Sequence, residues 1–297
     1  MNVLVSGLVN IETPVSVRGF PINYYPIDYP FFGIGMNVGG VGYNAAKALK
    51  TLGDNVTFVS FIGNDITGNI IEETLHKDRI ETKYLQRTLE CSAQSVVLVE
   101  PSGRRQIYCD LKDIQDRRLD CSFVRAEIEN TDTVVCCNIN FNRTLLHEAK
   151  RLGKRIATDV HVLSDINDEY NREFLECADI VFLSDEGLPC SPHDFLTALK
   201  NQYGMSIIVL GQGSSGATLY ERLTDTITHY DCVPCSHVVN TVGAGDALFS
   251  AFIHFYTKGL SAADALLRAQ IFAGEKIKHN GASIGFLTEE EVESRIR

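Results

Sequence analysis

A doubly wound, mostly parallel α/β sheet carrying a small β-sheet lid is the fold this sequence predicts. Three observations lead there. Short apolar runs alternate with helical patterns along most of the chain, two stretches break that rhythm, and no linker divides the chain. Its 297 residues, 44% of them hydrophobic, suffice for one domain with a sizeable core, so residues 1–297 are read as a single catalytic unit.

The apolar runs lie at 3–9 (VLVSGLV), 56–62 (VTFVSFI), 133–137 (TVVCC), 155–160 (RIATDV), 179–183 (DIVFL) and 206–210 (SIIVL), and they read as strands buried on both faces. Helical patterns near 42–52, 66–78, 142–152, 193–203, 245–258 and 261–278 alternate with them, which predicts a parallel sheet with right-handed crossovers. Residues 14–36 are rich in Pro, Tyr and Phe and have no 3.6-residue period. Residues 95–110 read as two strands (SVVLVE and RQIYCD) around the turn Pro101-Ser102-Gly103. Together, 14–36 and 95–110 are expected to form a β-lid over a site.

Composition removes several classes of function. A formal net charge of -11 disfavours a nucleic-acid partner, because such affinity rests largely on Lys and Arg neutralising phosphates. There is no basic and apolar leader and no apolar run long enough to span a bilayer, so a cytoplasmic protein without a membrane partner is expected. Nine cysteines, an odd number that includes the adjacent Cys136 and Cys137, suit a reducing compartment. His229, Cys232, Cys235 and His237 contain a C-x2-C pair. Four ligands so close together on an extended segment with Pro234 would converge poorly on a tetrahedral ion, and a surface strand and turn is the expected reading.

The chemistry concentrates in two glycine clusters. Asn240-Thr241-Val242-Gly243-Ala244-Gly245-Asp246 runs into an apolar helix (ALFSAFIHFY). Small residues there let a ligand approach the backbone, and a helix start offers unpaired N–H groups and the positive end of a dipole, so the segment suits an anion. Asp246, in the first turn, is placed to take the proton of an attacking hydroxyl, although an acidic residue at a helix start and a tight glycine turn are also ordinary features. The second cluster, Gly39-Gly40-Val41-Gly42-Tyr43-Asn44-Ala45, contains a G-x-G-x-x-A pattern. A dinucleotide fingerprint needs a strand just before it and an acidic end to the next strand. Here GIGMNV precedes it and 56–62 ends in Ile62 and Gly63.

In their order and separation the two clusters resemble the N- and C-terminal signatures of the ribokinase-like (PfkB-type) carbohydrate kinases, and the resemblance covers nearly the whole chain. It implies an ATP- and Mg²⁺-dependent kinase with Asp246 as base and the N–H groups of Gly243, Ala244 and Gly245 as an anion hole. It implies substrate contacts at Asn10, Glu12, Gly39, Gly40, Val41, Asn44 and Asn138. Glu12 stands where the family normally ends its N-terminal strand in Asp. It also implies nucleotide contacts at Gly211, Gly213, Ser214 and Gly216, with Gln270 added to that set. The family's Asn-x-x-Glu magnesium motif is broken here to Ser184-Asp185-Glu186-Gly187, which passes the metal role to Asp185 or Glu186. Asn240 replaces an Asp whose counterpart helps hold a monovalent cation beside the anion hole, leaving a K⁺ requirement open.

The expected acceptor is a small sugar or nucleoside with a free primary hydroxyl. Gly39-Gly40-Val41-Gly42 followed by Asn44, and Cys137-Asn138-Ile139 after a strand, resemble the pseudouridine kinases most, which favours a ribonucleoside over a pentose or hexose. No Arg or Lys falls in the substrate-side segments, although Lys112 or Arg104 on the hairpin would be within reach. His161 is assigned a surface or capping role, and the lid is a candidate surface for a homodimer. A sugar- or nucleoside-binding regulator with weakened catalysis is the alternative of another class, and the departures at Glu12, Ser184, Gly187 and Asn240 are its motivation.

Overall fold

The computed structural model describes residues 1–296. The chain opens with β1 (Asn2–Ser6), β2 (Asn10–Ser16), β3 (Asn37–Gly39), α1 (Val41–Thr51), β4 (Asn55–Gly63), α2 (Ile66–Lys77) and β5 (Tyr84–Leu89). A hairpin of β6 (Gln94–Val99) and β7 (Arg105–Asp110) leads to α3 (Cys121–Asn130), β8 (Thr133–Cys136), α4 (Arg143–Arg151) and β9 (Arg155–Val162). Then come α5 (Arg172–Cys177), β10 (Ile180–Ser184), α6 (Pro192–Gln202), β11 (Ile207–Gly211), β12 (Ala217–Glu221) and β13 (Thr226–Tyr230). The last elements are α7 (Ala244–Thr257), α8 (Ala262–Lys276) and α9 (Glu289–Ser294).

Nine strands form the main sheet in the order β13-β12-β11-β10-β9-β8-β1-β4-β5, with β12 antiparallel to its neighbours and the others parallel. The strand order reverses at β1, which pairs with β4 on one side and β8 on the other. In such sheets the crevice beyond the carboxyl ends of the strands at the reversal is where ligands bind.

Alternation along β1 shows why its run is apolar throughout. Val3 and Val5 enter a core shared with α1, α2, α7 and α8, whereas Leu4 enters the opposite core, shared with α3 to α6. Each strand of a parallel sheet covered on both faces needs apolar side chains pointing both ways. The outer helices are stopped by conventional caps: Asp65 accepts from the Gly68 N–H at the start of α2, and Ser191 and Ser261 do the same for Asp194 and Asp264 in α6 and α8. By contrast α1 and α7 begin at Gly40 and Gly243 with no side-chain cap.

The second sheet runs β3-β2-β6-β7. The hairpin expected at 95–110 is present, turning at Gly103. The expectation for 14–36 needs correction. The strands that complete the sheet are β2 and β3, which flank this segment, and within it only 14–16 lies in a strand, with Ile34 bridging to Val15. Pro21, Pro26 and Pro30 leave too few donors for a continuous ladder. Likewise, the strand expected at 3–9 ends at Ser6. The chain then crosses at Gly7–Val9 and delivers Asn10–Glu12 to the second sheet.

Sequence reading missed β3, where GIGMNV had looked poor strand material, and also β5, α3, α5 and α9. These elements are short, or they mix polar residues so evenly that the pattern has no dominant period.

Candidate active site

The site assembles where β1, β8 and β9 end and where the uncapped helices α1 and α7 begin. The α1 cluster is explained by backbone contact. A Cβ on Gly42 would lie 2.5 Å from the Gly7 carbonyl carbon, so these two glycines let the helix rest directly on the crossing out of β1. This packing places Asn44 one turn into α1, where its Nδ2 donates to Asp246 Oδ2 at 2.7 Å.

Asp246 is 9% exposed and does not cap its own helix. Its carboxylate turns toward α1, which removes the simple helix-start reading. Burial raises its pKa above the ordinary carboxylate value, opposed by nearby His161, the Asn44 amide and Lys276, and assisted by Asp159. Glu12 is also raised, first by burial, then opposed by the Gly40 N–H, which donates to Glu12 Oε1 at 3.3 Å, and assisted by Asp246. Gly39 explains how the longer Glu fits, since a Cβ there would stand 2.2 Å from Glu12 Cδ. Glu12 and Asp246, both raised and close enough to act on each other, are the kind of coupled acidic pair seen where protons are transferred.

Beneath them, Asn10 donates through Nδ2 to Ser95 Oγ at 3.0 Å, which ties β2 to β6. The Oδ1 atoms of Asn10 and Asn44 are buried without a partner, the mark of a polar site completed by a ligand. Val41, the first residue of α1, is half-buried beside them. Asn138, after β8, does not cap α4. Its Nδ2 donates to Asn171 Oδ1 at 3.1 Å and its carbonyl accepts from Tyr170 Oη at 2.9 Å. Next to it, burial pushes the Cys137 thiol well up, so it stands neutral against Gly7.

The anion hole differs from expectation in one amide. The Ala244 N–H donates to Thr241 O at 3.1 Å and closes a turn, so it is not available to a ligand. The N–H groups of Gly243 and Gly245 have no partner among the described residues. The turn itself holds Gly243 at φ 79°, where its missing side chain leaves room for Ala282. Lys112 pairs with Asp110 and Arg104 with Glu100, so neither reaches in. Arg105 does instead: its Nη1 donates to Thr241 Oγ1 at 3.2 Å and joins the lid hairpin to the anion loop. His161 is half-exposed. At φ 60° at the end of β9 it turns toward Asp159, its Nδ1 3.5 Å from Oδ2, and lies close enough to Asp246 to act on it electrostatically.

The remaining residues line the same carboxyl edge of the sheet without touching Asp246. Asp185 and Glu186 follow β10 with carboxylates that have no partner among the described residues, and the Asp185 N–H donates to Gly211 O at 3.0 Å. Gly213 and Ser214 stand exposed in the turn after β11, whereas Gly216 packs, its Cβ position lying 2.1 Å from Tyr230 O. The Gln270 side chain accepts from the Val233 N–H at 3.2 Å and leaves Nε2 unpartnered. Val233, Cys235, Ile271 and Gly274 line a pocket of about 210 Å³ alongside. Among the described residues no group of three or more His, Cys, Asp or Glu is arranged to hold a metal ion, and the thiol of Cys235 faces the Gly274 carbonyl at 3.4 Å.

The uncapped start of α7, with unpartnered Gly243 and Gly245 amides, thus carries a buried carboxylate in its own first turn, held toward α1 by Asn44. The chain belongs to the pfkB family of carbohydrate kinases, which matches residues 3–289. It is thus a phosphotransferase acting on a hydroxyl of a carbohydrate or nucleoside. Acarbose 7(IV)-phosphotransferase of Actinoplanes sp. is 24% identical over 263 residues, which cover 87% of this chain and 86% of that one. A microbiome-derived acarbose kinase superposes with a TM-score of 0.89 at 24% identity, covering 99% of this chain and 98% of that one. The Arabidopsis thaliana ribokinase complexed with ribose and ATP gives 0.83 at 20% identity, with the same coverage. Among the described residues no helix is long and apolar enough to cross a membrane.

The raised pKa of Asp246 has a kinetic consequence. With Asp246 as the proposed base, which works only when ionised, kcat/KM is expected to fall as pH falls through a midpoint above the usual carboxylate range. Glu12 titrates in the same direction, and the acid limb belongs to the pair. A pH–rate profile with its acid limb at the ordinary carboxylate value would contradict the assignment.

Proposed function

We propose that this chain transfers the γ-phosphoryl group of ATP to a primary hydroxyl of a nucleoside or sugar, with Asp246 as the base. The observation that carries this reading is the 2.7 Å bond from Asn44 to Asp246, which turns the buried carboxylate away from capping its own helix and toward the start of α1. Asp246 takes the hydroxyl proton, the hydroxyl oxygen bonds to the γ-phosphorus, and the bond from that phosphorus to the bridging oxygen breaks to release ADP. The free amides of Gly243 and Gly245 face the charge that builds on the transferred oxygens. Arg105 and Thr241 tie the lid to this loop, so closure and anion binding are linked.

Asp185 and Glu186 offer unpaired carboxylate oxygens suited to a magnesium ion that is otherwise ligated by water and phosphate, and Mg²⁺ bound there would neutralise phosphate charge. The exposed turn at Gly213 and Ser214 suits the phosphates or ribose of ATP. Gly216 closes the same turn, where a Cβ would meet Tyr230 O.

The favoured acceptor is a ribonucleoside, with pseudouridine the leading candidate. Val41 offers apolar surface suited to a base or the carbon edge of a ribose, and Asn138 keeps its Oδ1 and one N–H for a base edge or hydroxyl. Glu12 can accept from two adjacent hydroxyls. A sugar derivative is the second reading, favoured by the likeness to two proteins named for acarbose. A coupled-turnover and thermal-shift screen with pseudouridine, uridine, adenosine, inosine, ribose, fructose and acarbose is expected to rank a nucleoside highest in kcat/KM. Ribose, fructose or acarbose turning over well above every nucleoside would reject the nucleoside acceptor and leave the kinase assignment in place. Thermal shifts without turnover would favour the binding regulator.

A further inference from the structure

Lys276 ends α8 with its side chain wholly buried, a placement that charged residues avoid unless they are paired. Among the described residues it has no carboxylate within ion-pair distance. Its Nζ donates to two main-chain carbonyls, that of Asn240 at 3.1 Å and that of Val242. These carbonyls belong to the loop that turns into the anion hole, one residue before Gly243. The same loop hangs on the end of α8 by two further bonds, from the Val239 and Asn240 N–H groups to Ile277 O at 2.8 and 3.0 Å. Lys276 is also the last residue of α8, where the negative end of the helix dipole favours a cation.

A dissolved monovalent cation beside the anion hole would need oxygens from this loop. It does not fit. The Asn240 and Val242 carbonyls already face an ammonium, and the Asn240 side chain is spent, its Oδ1 accepting the Val242 N–H at 2.8 Å. An ammonium bound by carbonyl oxygens does the electrostatic work of such an ion while being covalently attached.

We propose that Lys276 is a tethered cation: its ammonium shapes the 240–242 loop and supplies fixed positive charge behind the Gly243 and Gly245 amides, making turnover independent of dissolved K⁺. The inference rests on the kinase reading. Lys276 is a positioning residue, since it acts through the loop.

Charged groups face it from three elements: Asp246 on α7, Arg105 on β7 and Glu12 on β2. Burial pushes its pKa down to about 8, with the two carboxylates opposing and Arg105 assisting. The ammonium is present below that value and lost above it, so kcat is expected to fall as pH rises through about 8.

The test compares wild type with Lys276→Ala and the volume-conserving Lys276→Met in tetramethylammonium buffer, with and without KCl or NH₄Cl, using Mg²⁺-ATP and the best acceptor of the screen. Wild-type kcat and Tm are expected to be unchanged by K⁺. Lys276→Ala is expected to lose at least about tenfold in kcat with little change in acceptor KM. Its Tm and kcat should both recover saturably with K⁺ or NH₄⁺, and Lys276→Met should lack the alkaline limb. Wild type activated severalfold by K⁺ would overturn the proposal even if neither variant folds. So would a Lys276→Ala protein with wild-type kcat, or one whose Tm and kcat ignore both ions. Absence of turnover by wild type on every acceptor counts against the kinase reading alone, because the Tm arm still decides whether the 240–242 pocket accepts a cation.

Discussion

Asp246→Asn is expected to lower kcat by about 10²- to 10⁴-fold while ATP and acceptor affinities stay within a few fold. Asn has the same shape and keeps an acceptor for the Asn44 amide, so the 2.7 Å contact that orients residue 246 survives and only the proton acceptor is lost. Stability separates this loss from unfolding. Burial raises the Asp246 pKa, so at neutral pH the ionised carboxylate weighs against the folded state, a penalty that grows as pH rises through the folded value. The Asn variant therefore has no reason to melt below wild type. Steady-state kinetics, equilibrium binding and thermal unfolding on the same preparation check all three statements. Loss of binding with an unchanged rate per bound complex would remove Asp246 from the chemistry.

The two glycines flanking Ala244 are expected to respond in opposite ways. Gly243 adopts φ 79°, and a Cβ there would lie 2.3 Å from Ala282 O, so Gly243→Ala combines left-handed strain with a backbone clash. A stability loss on the order of 2–5 kcal/mol is expected, together with loss of turnover as the start of α7 shifts. A Cβ on Gly245 meets nothing within 4 Å. In a first helical turn Gly245→Ala should leave stability equal or higher by up to about 1 kcal/mol. It nevertheless fills the space in front of the free amides, and kcat/KM is expected to fall on the order of 10²-fold. Denaturant unfolding alongside turnover distinguishes the pair. Full activity in Gly245→Ala would show that the phosphoryl group does not approach this helix.

The contrast between these glycines also shows how far sequence reading reaches. Asn240 to Asp246 was legible as a glycine-led start to an apolar helix, the kind of place that suits an anion. Which amides remain free was not legible. Thr241 takes the Ala244 N–H through a local turn whose formation depends on how Lys276 and Ile277, distant in sequence, hold the loop. Arg104, Arg105 and Lys112 look alike around a hairpin, yet only Arg105, which lies in β7, reaches Thr241, while Arg104 and Lys112 just outside the strand pair with Glu100 and Asp110. His161 and Lys276 carried no motif at all.

What the sequence determined by itself was the α/β class, most of the main-sheet strands and the helices that follow them, and the two glycine-led helix starts. These depend on local periodicity and on conformations only glycine allows, properties written into consecutive residues. Tertiary structure alone decided that Asn10 and Glu12 leave the main sheet for the lid, that Asn44 and Asp246 meet, and that a buried ammonium backs the anion loop. Those outcomes depend on which strand ends lie side by side at the reversal of strand order, and on contacts between residues 202 apart in the case of Asn44 and Asp246, a separation no local pattern encodes.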